Sequence, residues 1–167
     1  MSRRLPLMVG GAFLLALALA STSLAGRLPS SAGASAKALG VGVTTEMTVV
    51  ERALTDTVVD LKPAGDSLGD SLAFGNPLYD ASNSHRIGHD EGSCVRTKVA
   101  VGWECSWTNI FAKGHLTVQG PFFDDGRDSV LAVTGGTGIY RDVRGEMRLH
   151  WRNAGGTEFD FIFTLDS

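Results

Sequence analysis

Several features that would declare a class at once are missing from this 167-residue sequence. There are only two cysteines, Cys94 and Cys105, enough for at most one internal bridge. There is no basic excess: 15 Lys and Arg against 18 Asp and Glu leave a net charge of −3, which excludes the electrostatic footprint of a nucleic-acid binder. No long segment repeats its apolar residues at the helical period, so a helical architecture is not expected. The longest apolar run, Leu5 to Ala20, falls short of the ~20 residues a spanning helix needs. No histidine has an aspartate three residues before it, as a GDSL-type serine hydrolase would require, although GDSLGDSL stands at residues 65–72. Gly135-Gly136-Thr137-Gly138 is not followed by Gly-Lys-Ser/Thr, so it reads as a tight turn between strands and not as a phosphate cradle.

Arg3 and Arg4 precede the apolar run, and Ser23-Leu24-Ala25 supplies small residues for a signal peptidase. Residues 1–25 are therefore expected to be a secretory signal peptide, with an uncleaved anchor as the alternative. Ser2-Arg3-Arg4 suits a twin-arginine leader, whereas Pro6 stands where that signal prefers an aromatic residue, so the export route stays open between the general and twin-arginine pathways. The leader carries no acid, and its removal makes the rest of the chain more acidic. Residues 26–44, rich in Ala, Gly and Ser, suit a flexible linker. Residues 45–167 remain as one compact domain of about 120 residues. The expected product is secreted, with no stable membrane insertion after cleavage.

From Thr45 onward β-branched and aromatic runs are separated by Gly, Pro, Asn and Asp clusters. Strands are expected at 45–61 (broken by a bulge), 70–80, 85–98, 103–112, 114–123, 129–135, 139–152 and 157–165. Met147, Leu149 and Trp151 alternate with Glu146, Arg148 and His150, and Phe159, Phe161 and Phe163 follow the same period. Eight short strands with tight connections indicate an all-β antiparallel barrel or sandwich. A barrel of about eight strands just accommodates one small ligand.

The stretch RIGHDEGSCVRT, residues 86–97, concentrates chemically active side chains. His85 and His89 have helical zinc-ligand spacing, but Gly88 and Gly92 argue against a helix, and in a strand the two lie about 13 Å apart. His89 and Glu91 are closer, with no third ligand in view, so no metal is expected. A hairpin centred on Val99–Gly102 pairs 94 with 105, 92 with 107 and 96 with 103. The two sulfurs then face each other, and in an exported protein they form a disulfide, a free pocket thiol being the alternative. The same register sets Trp103 beside Arg96 and Trp107 beside Gly92, either as a pocket wall or as ordinary cross-strand packing.

Gly-Thr-Gly-Ile-Tyr-Arg-Asp-Val-Arg-Gly-Glu, residues 136–146, resembles the signature of plant dirigent proteins. Val118-Gln119-Gly120-Pro121, Leu131 to Gly136, and Phe74-Gly75-Asn76-Pro77-Leu78-Tyr79-Asp80 are similar to segments of plant allene oxide cyclases. Arg86-Ile87-Gly88 and Gly92-Ser93-Cys94-Val95 are similar to the cyclase strand that carries a pocket cysteine. The resemblance runs from about Thr45 to Asp166 and lies closest to secreted bacterial proteins with an allene oxide cyclase barrel-like domain. It implies an eight-stranded antiparallel β-barrel, as a homotrimer or homodimer, whose apolar lumen binds a reactive small molecule without a cofactor. Cyclases of this kind hold a flexible chain in one conformer, helped by a carboxylate and by a water held on an asparagine; dirigent proteins steer radical coupling. Both are positioning chemistry.

Carried over by position, Phe74 and Asn76 match the cyclase pocket phenylalanine and water-holding asparagine, Cys94 matches its cysteine, and Glu51 is the candidate carboxylate. Phe122 replaces a tyrosine after the Gly-Pro. Arg144 matches the dirigent pocket arginine, with a surface ion pair as the alternative. Asp90 and Glu91 replace small or neutral residues, and Cys105 gives Cys94 a partner the plant cyclases lack. The catalytic candidates are thus Glu51, Asn76 and Asp90, and the substrate-binding candidates Phe74, Cys94, Trp107, Phe122 and Arg144. Asp90 shares a face with Cys94, and parity alone does not say whether that face is lumen or exterior. Two functions fit: a cyclase or dirigent-type barrel acting on an apolar, oxygen-bearing molecule, or a non-catalytic binding or structural barrel.

Overall fold

The alternation read in the sequence becomes strands wherever one face of the chain can be buried against a common interior. The computed structural model describes residues 42–167, so the expected signal peptide and all but the end of the linker lie outside the described residues. The strands are β1 (Thr44–Arg52), β2 (Thr57–Val59), β3 (Ser71–Phe74), β4 (Pro77–Asp80), β5 (Arg86–Lys98), β6 (Gly102–Phe111), β7 (Gly114–Phe123), β8 (Ser129–Gly136), β9 (Arg144–Trp151) and β10 (Glu158–Asp166). They run in the order β2-β3-β5-β4-β1-β10-β9-β8-β7-β6, and β6 pairs back onto β5. All pairings are antiparallel, and the result is a closed eight-stranded β-barrel.

Ten strand segments make eight staves because two staves are interrupted. β1 and β2 are the halves of the expected strand 45–61, and β3 and β4 those of 70–80. β3 and β4 both pair with β5, β4 pairs with β1, and β2 pairs with β3. The two breaks, 53–56 and 75–76, therefore face each other across neighbouring staves. Pro77 contributes to the second, since it has no N–H to give a ladder.

Inward-facing positions follow the predicted parity. Val49, Leu78, Leu116, Val118, Leu131, Met147, Phe161 and Phe163 are all buried in one core cluster. Each such side chain contributes about 1.5–3 kcal/mol of burial free energy. Charged residues of β9 such as Arg148 and His150 face outward, where both reach Asp128.

The β5–β6 hairpin has the expected register: Cys94 with Cys105, Gly92 with Trp107 and Arg96 with Trp103. Cys94 and Cys105 form a disulfide. A Cβ at residue 92 would collide with the Cβ of Trp107, so only glycine lets the indole lie across β5. Arg96 lies over the Trp103 ring at 3.9 Å and is paired with Asp66 and Asp124 at 2.6 Å each. Trp103 Nε1 also donates to Asp124, at 2.9 Å, so one arginine fastens the 60–70 loop and the β7–β8 connection to the same barrel end.

One expected strand needs correction. The strand expected at 139–152 begins only at Arg144, because residues 138–140 form a 3-10 turn. Gly138 takes φ of 62° and packs its Cα against the carbonyl of Lys113, a position without room for a side chain. The GDSL segment is a loop device. Asp70 accepts from the backbone N–H groups of Leu61 and Ser67 at 2.8 Å each, and Ser67 Oγ donates to it at 3.0 Å. Among the described residues no helix is long and apolar enough to cross a membrane.

Candidate active site

The facing breaks in the two interrupted staves leave backbone groups without ladder partners, and the side chain of Asn76 takes up the work. Its Oδ1 accepts from Leu54 N at 2.8 Å, Thr55 N at 2.9 Å and Thr55 Oγ1 at 3.1 Å. Its Nδ2 donates to Glu51 Oε1 at 2.8 Å and to Asp56 Oδ1 at 2.7 Å. Its backbone N–H donates to Asp90 Oδ1 at 2.9 Å, and its carbonyl accepts from Asp90 N at 2.9 Å. One asparagine thus gathers three carboxyl groups from β1, β5 and the 53–56 break.

Two of these groups are withdrawn from water: Asp90 is 0% and Glu51 5% exposed. Burial drives the Glu51 carboxyl well above the ordinary carboxylate range, and the neighbouring Asp90 and Asp56 charges push the same way, against the Asn76 hydrogen bond. Burial also pushes Asp90 up, to about 7, against the backbone N–H of Asn76. Glu51 and Asp90 are near enough to perturb each other, and a proton held by the pair spares the site two buried negative charges. Directly across the β5–β6 ladder from Asp90 stands Asn109, also 0% exposed. Asp90 Oδ2 and Asn109 Oδ1 have no hydrogen-bond partner within the protein.

Glu51 and Asp56 lie on the wall of a pocket in the lumen. The remaining wall is apolar: Phe74, Trp107, Phe122, Phe159 and Phe161, with the Cys94–Cys105 disulfide, Leu72 and Leu149. Trp107 packs against Phe74 and Phe161 with ring centroids 5.8 and 5.6 Å apart. The pocket's free space is about 30 Å³, room for about two waters, so anything larger than a few atoms enters only if side chains move. Phe74 and Phe122 are the half-buried aromatic residues of the wall.

Among the described residues no group of three or more His, Cys, Asp or Glu is placed to hold a metal ion.

These features can be set beside known proteins. The family profile described as allene oxide cyclase matches residues 46–153. The chain belongs to the allene oxide cyclase family. Solved structures share the fold of this cyclase-family barrel. A pyocyanin demethylase superposes with a TM-score of 0.65 at 23% identity, over 72% of this chain and 99% of its own. A pterocarpan synthase dirigent protein gives 0.64 at 16% identity, over 80% and 95%. AbnU, an exo-specific intermolecular Diels-Alderase, gives 0.61 at 16%, over 77% and 100%.

Within the family fold, the sequence-derived candidates sort cleanly by position. Glu51, Asn76 and Asp90 converge, and the face that Asp90 shares with Cys94 is the lumen. Phe74, Trp107 and Phe122 line the pocket, as does Cys94, which does so as half of a disulfide and so offers no thiol. Arg144 does not join them. It is exposed on the outer face of β9, its Nη1 donating to the carbonyl of Val143, because the strand's inward positions go to Met147 and Leu149. Glu91 is also exposed, beside His89 at 3.5 Å. Sequence reasoning missed Asp56 and Asn109. Asn109 was within reach, since the hairpin register that pairs 94 with 105 also pairs 90 with 109. Asp56 had no such signal, because only the break in the stave turns it toward Asn76.

Proposed function

We propose that this protein is a secreted, lumen-binding barrel that holds an apolar, oxygen-bearing reactive intermediate for stereocontrolled cyclisation or coupling, as an isomerase or a dirigent-type guide. The observation that carries this reading is the pair of buried carboxyls Glu51 and Asp90, gathered by Asn76 beside an aromatic pocket whose wall Glu51 joins. A carboxyl that keeps its proton near neutral pH can donate it toward an oxygen on which negative charge develops, and take it back once the ring has closed. Such a cycle consumes no net proton and no electrons. The aromatic walls restrict the bound chain to few conformers, which is the larger contribution for a reaction that needs mainly positioning. The indole N–H of Trp107, buried and without an acceptor in the protein, suits an oxygen of the ligand. Kinship with a barrel family whose solved relatives include a Diels-Alderase and a pterocarpan synthase dirigent protein supports the same reading. The export signal expected at residues 1–25 supports a reaction outside the cell.

The test is native mass spectrometry of the protein from the culture supernatant of its own host, with intact mass before and after reduction. A bound small molecule on the mature chain, lost when Glu51 and Trp107 are replaced, is the expected result. One observation favours a second reading, a non-catalytic filled barrel: the small space open to water-sized molecules. A barrel that carries no ligand and also refuses environment-sensitive apolar dyes would establish that reading and overturn the first.

A further inference from the structure

Asp90 and Asn109 stand opposite each other across the β5–β6 ladder, both 0% exposed. Opposed side chains in an antiparallel pair have Cβ atoms about 4.5–5.5 Å apart, so short polar groups there are within reach of each other. Asn109 Nδ2 donates to the carbonyl of Leu116 on β7 at 3.3 Å. Only the amide's N–H end can do that, so its oxygen is the free end. Asp90 Oδ1 accepts from the backbone N–H of Asn76 at 2.9 Å, which leaves Oδ2 as the free end of the carboxyl. Both free ends are buried acceptors without a donor in the protein. One hydrogen on Asp90 Oδ2 satisfies both at once.

We infer that Asn109 is a positioning residue whose Oδ1 accepts a hydrogen bond from a proton carried on Asp90 Oδ2, and so keeps Asp90 a neutral acid beside Glu51. The inference rests on the lumen-binding reading above and deepens it by giving each carboxyl its own part. Glu51 lines the pocket and Asp90 does not, so Glu51 is the acid that reaches the ligand. Beside a charged Asp90, loss of the Glu51 proton would leave two carboxylates together out of water, and Glu51 would hold that proton too tightly to give it. Beside a neutral Asp90 the same step creates a single negative charge. The O–H bond of Glu51 then breaks as one forms to the ligand oxygen, and the proton returns once the ring has closed. The proton of Asp90 stays in place throughout.

The titratable groups that face Asp90 are Glu51 from β1 and Asp56 from the 53–56 break. From β6 and from the break before β4 it meets Asn109 and Asn76, which do not titrate. His89 and Glu91, its neighbours on β5, pair with each other on the outer face. No cation is therefore at hand to favour the carboxylate, and burial pushes Asp90 up to about 7.

Carbon-13 NMR of the mature protein, disulfide intact, with Asp, Glu and Asn side-chain carbonyl carbons labelled, tests this between about pH 3 and 9. Asp90→Asn and Glu51→Gln identify the two carboxyl signals by their loss. Asp90 is expected to remain protonated at about pH 6, well above its ordinary value of about 3.9, and the Asn109 amide carbon to shift with the same midpoint as Asp90. Asn109→Thr offers a hydroxyl that can donate to a carboxylate, and should weaken proton binding at Asp90 about tenfold. A residue that only packs would change stability and leave that proton affinity alone. An Asp90 midpoint unmoved by Asn109→Thr overturns the inference and leaves the lumen-binding reading standing. So does an Asn109 carbon in the parent that ignores the ionisation of Asp90, a result that needs no variant to fold. An Asp90 already ionised at about pH 6 beside a protonated Glu51, as a water donating to Asp90 would make it, has the same meaning. Ionisation of both carboxyls at that pH overturns the proposed reaction as well, because no acid then remains at the pocket.

Discussion

Replacing Glu51 by Gln should make the protein more stable in mild alkali, against the usual expectation for a change at a buried polar site. In the unfolded chain Glu51 and Asp90 titrate near their ordinary values of about 4.3 and 3.9. In the folded barrel both are raised, Asp90 to about 7. A group whose folded pKa is raised contributes its stability below the unfolded value and loses it as pH climbs through the folded one. Between about pH 4 and 7 the native state holds more protons than the unfolded chain, so stability falls by about 1.4 kcal/mol per pH unit for each extra proton. Gln keeps the acceptor for Asn76 Nδ2, now 2.8 Å from Glu51 Oε1, and brings no charge beside Asp90. Glu51→Gln is therefore expected to gain about 1–3 kcal/mol at pH 8 and to differ by less than about 0.5 kcal/mol near pH 4.5. Urea unfolding of both proteins at pH 4.5, 6 and 8, disulfide intact, measures this, and every other titrating group cancels in the difference. A variant less stable than the parent by more than about 1 kcal/mol at pH 8, or a difference that does not change with pH, would refute proton sharing by this pair.

Three further outcomes follow from the geometry. Converting Cys94 and Cys105 together to Ser should cost about 2–3 kcal/mol, the loop-entropy value for a sequence separation of 11, and reduction of the parent should add the mass of two hydrogens. Arg96→Ala should cost about 2–3 kcal/mol in urea unfolding, less than a fully buried pair would, because Asp66 and Asp124 are 35% and 25% exposed. It should also raise hydrogen exchange in the 60–70 loop, and unchanged exchange there would show that Asp70 alone holds it. Arg144→Ala should change stability by no more than about 0.5 kcal/mol and leave ligand binding untouched, whereas a loss of binding would place that side chain at the pocket after all.

Taken by itself, the amino-acid sequence determined the number of staves, the β5–β6 register, the disulfide and the relative faces of β9 and β10. Each is a local matter: period-2 alternation and a turn specify which residues share a face and which stand opposite, as Cys94 and Cys105 do. Parity never says which face is inside, so the tertiary structure alone put Asp90 in the lumen and Arg144 outside it. Closure of the barrel makes that choice, by giving the interior to whichever set of positions fills it with apolar volume. The carboxyl cluster is likewise a product of tertiary structure. Asn76 joins Glu51, 25 residues earlier, to Asp90, 14 residues later, because two staves break at the same level and leave donors that only a side chain can satisfy. The burial that raises both acids follows from that closure as well, since a carboxyl shifts only when folding removes its water.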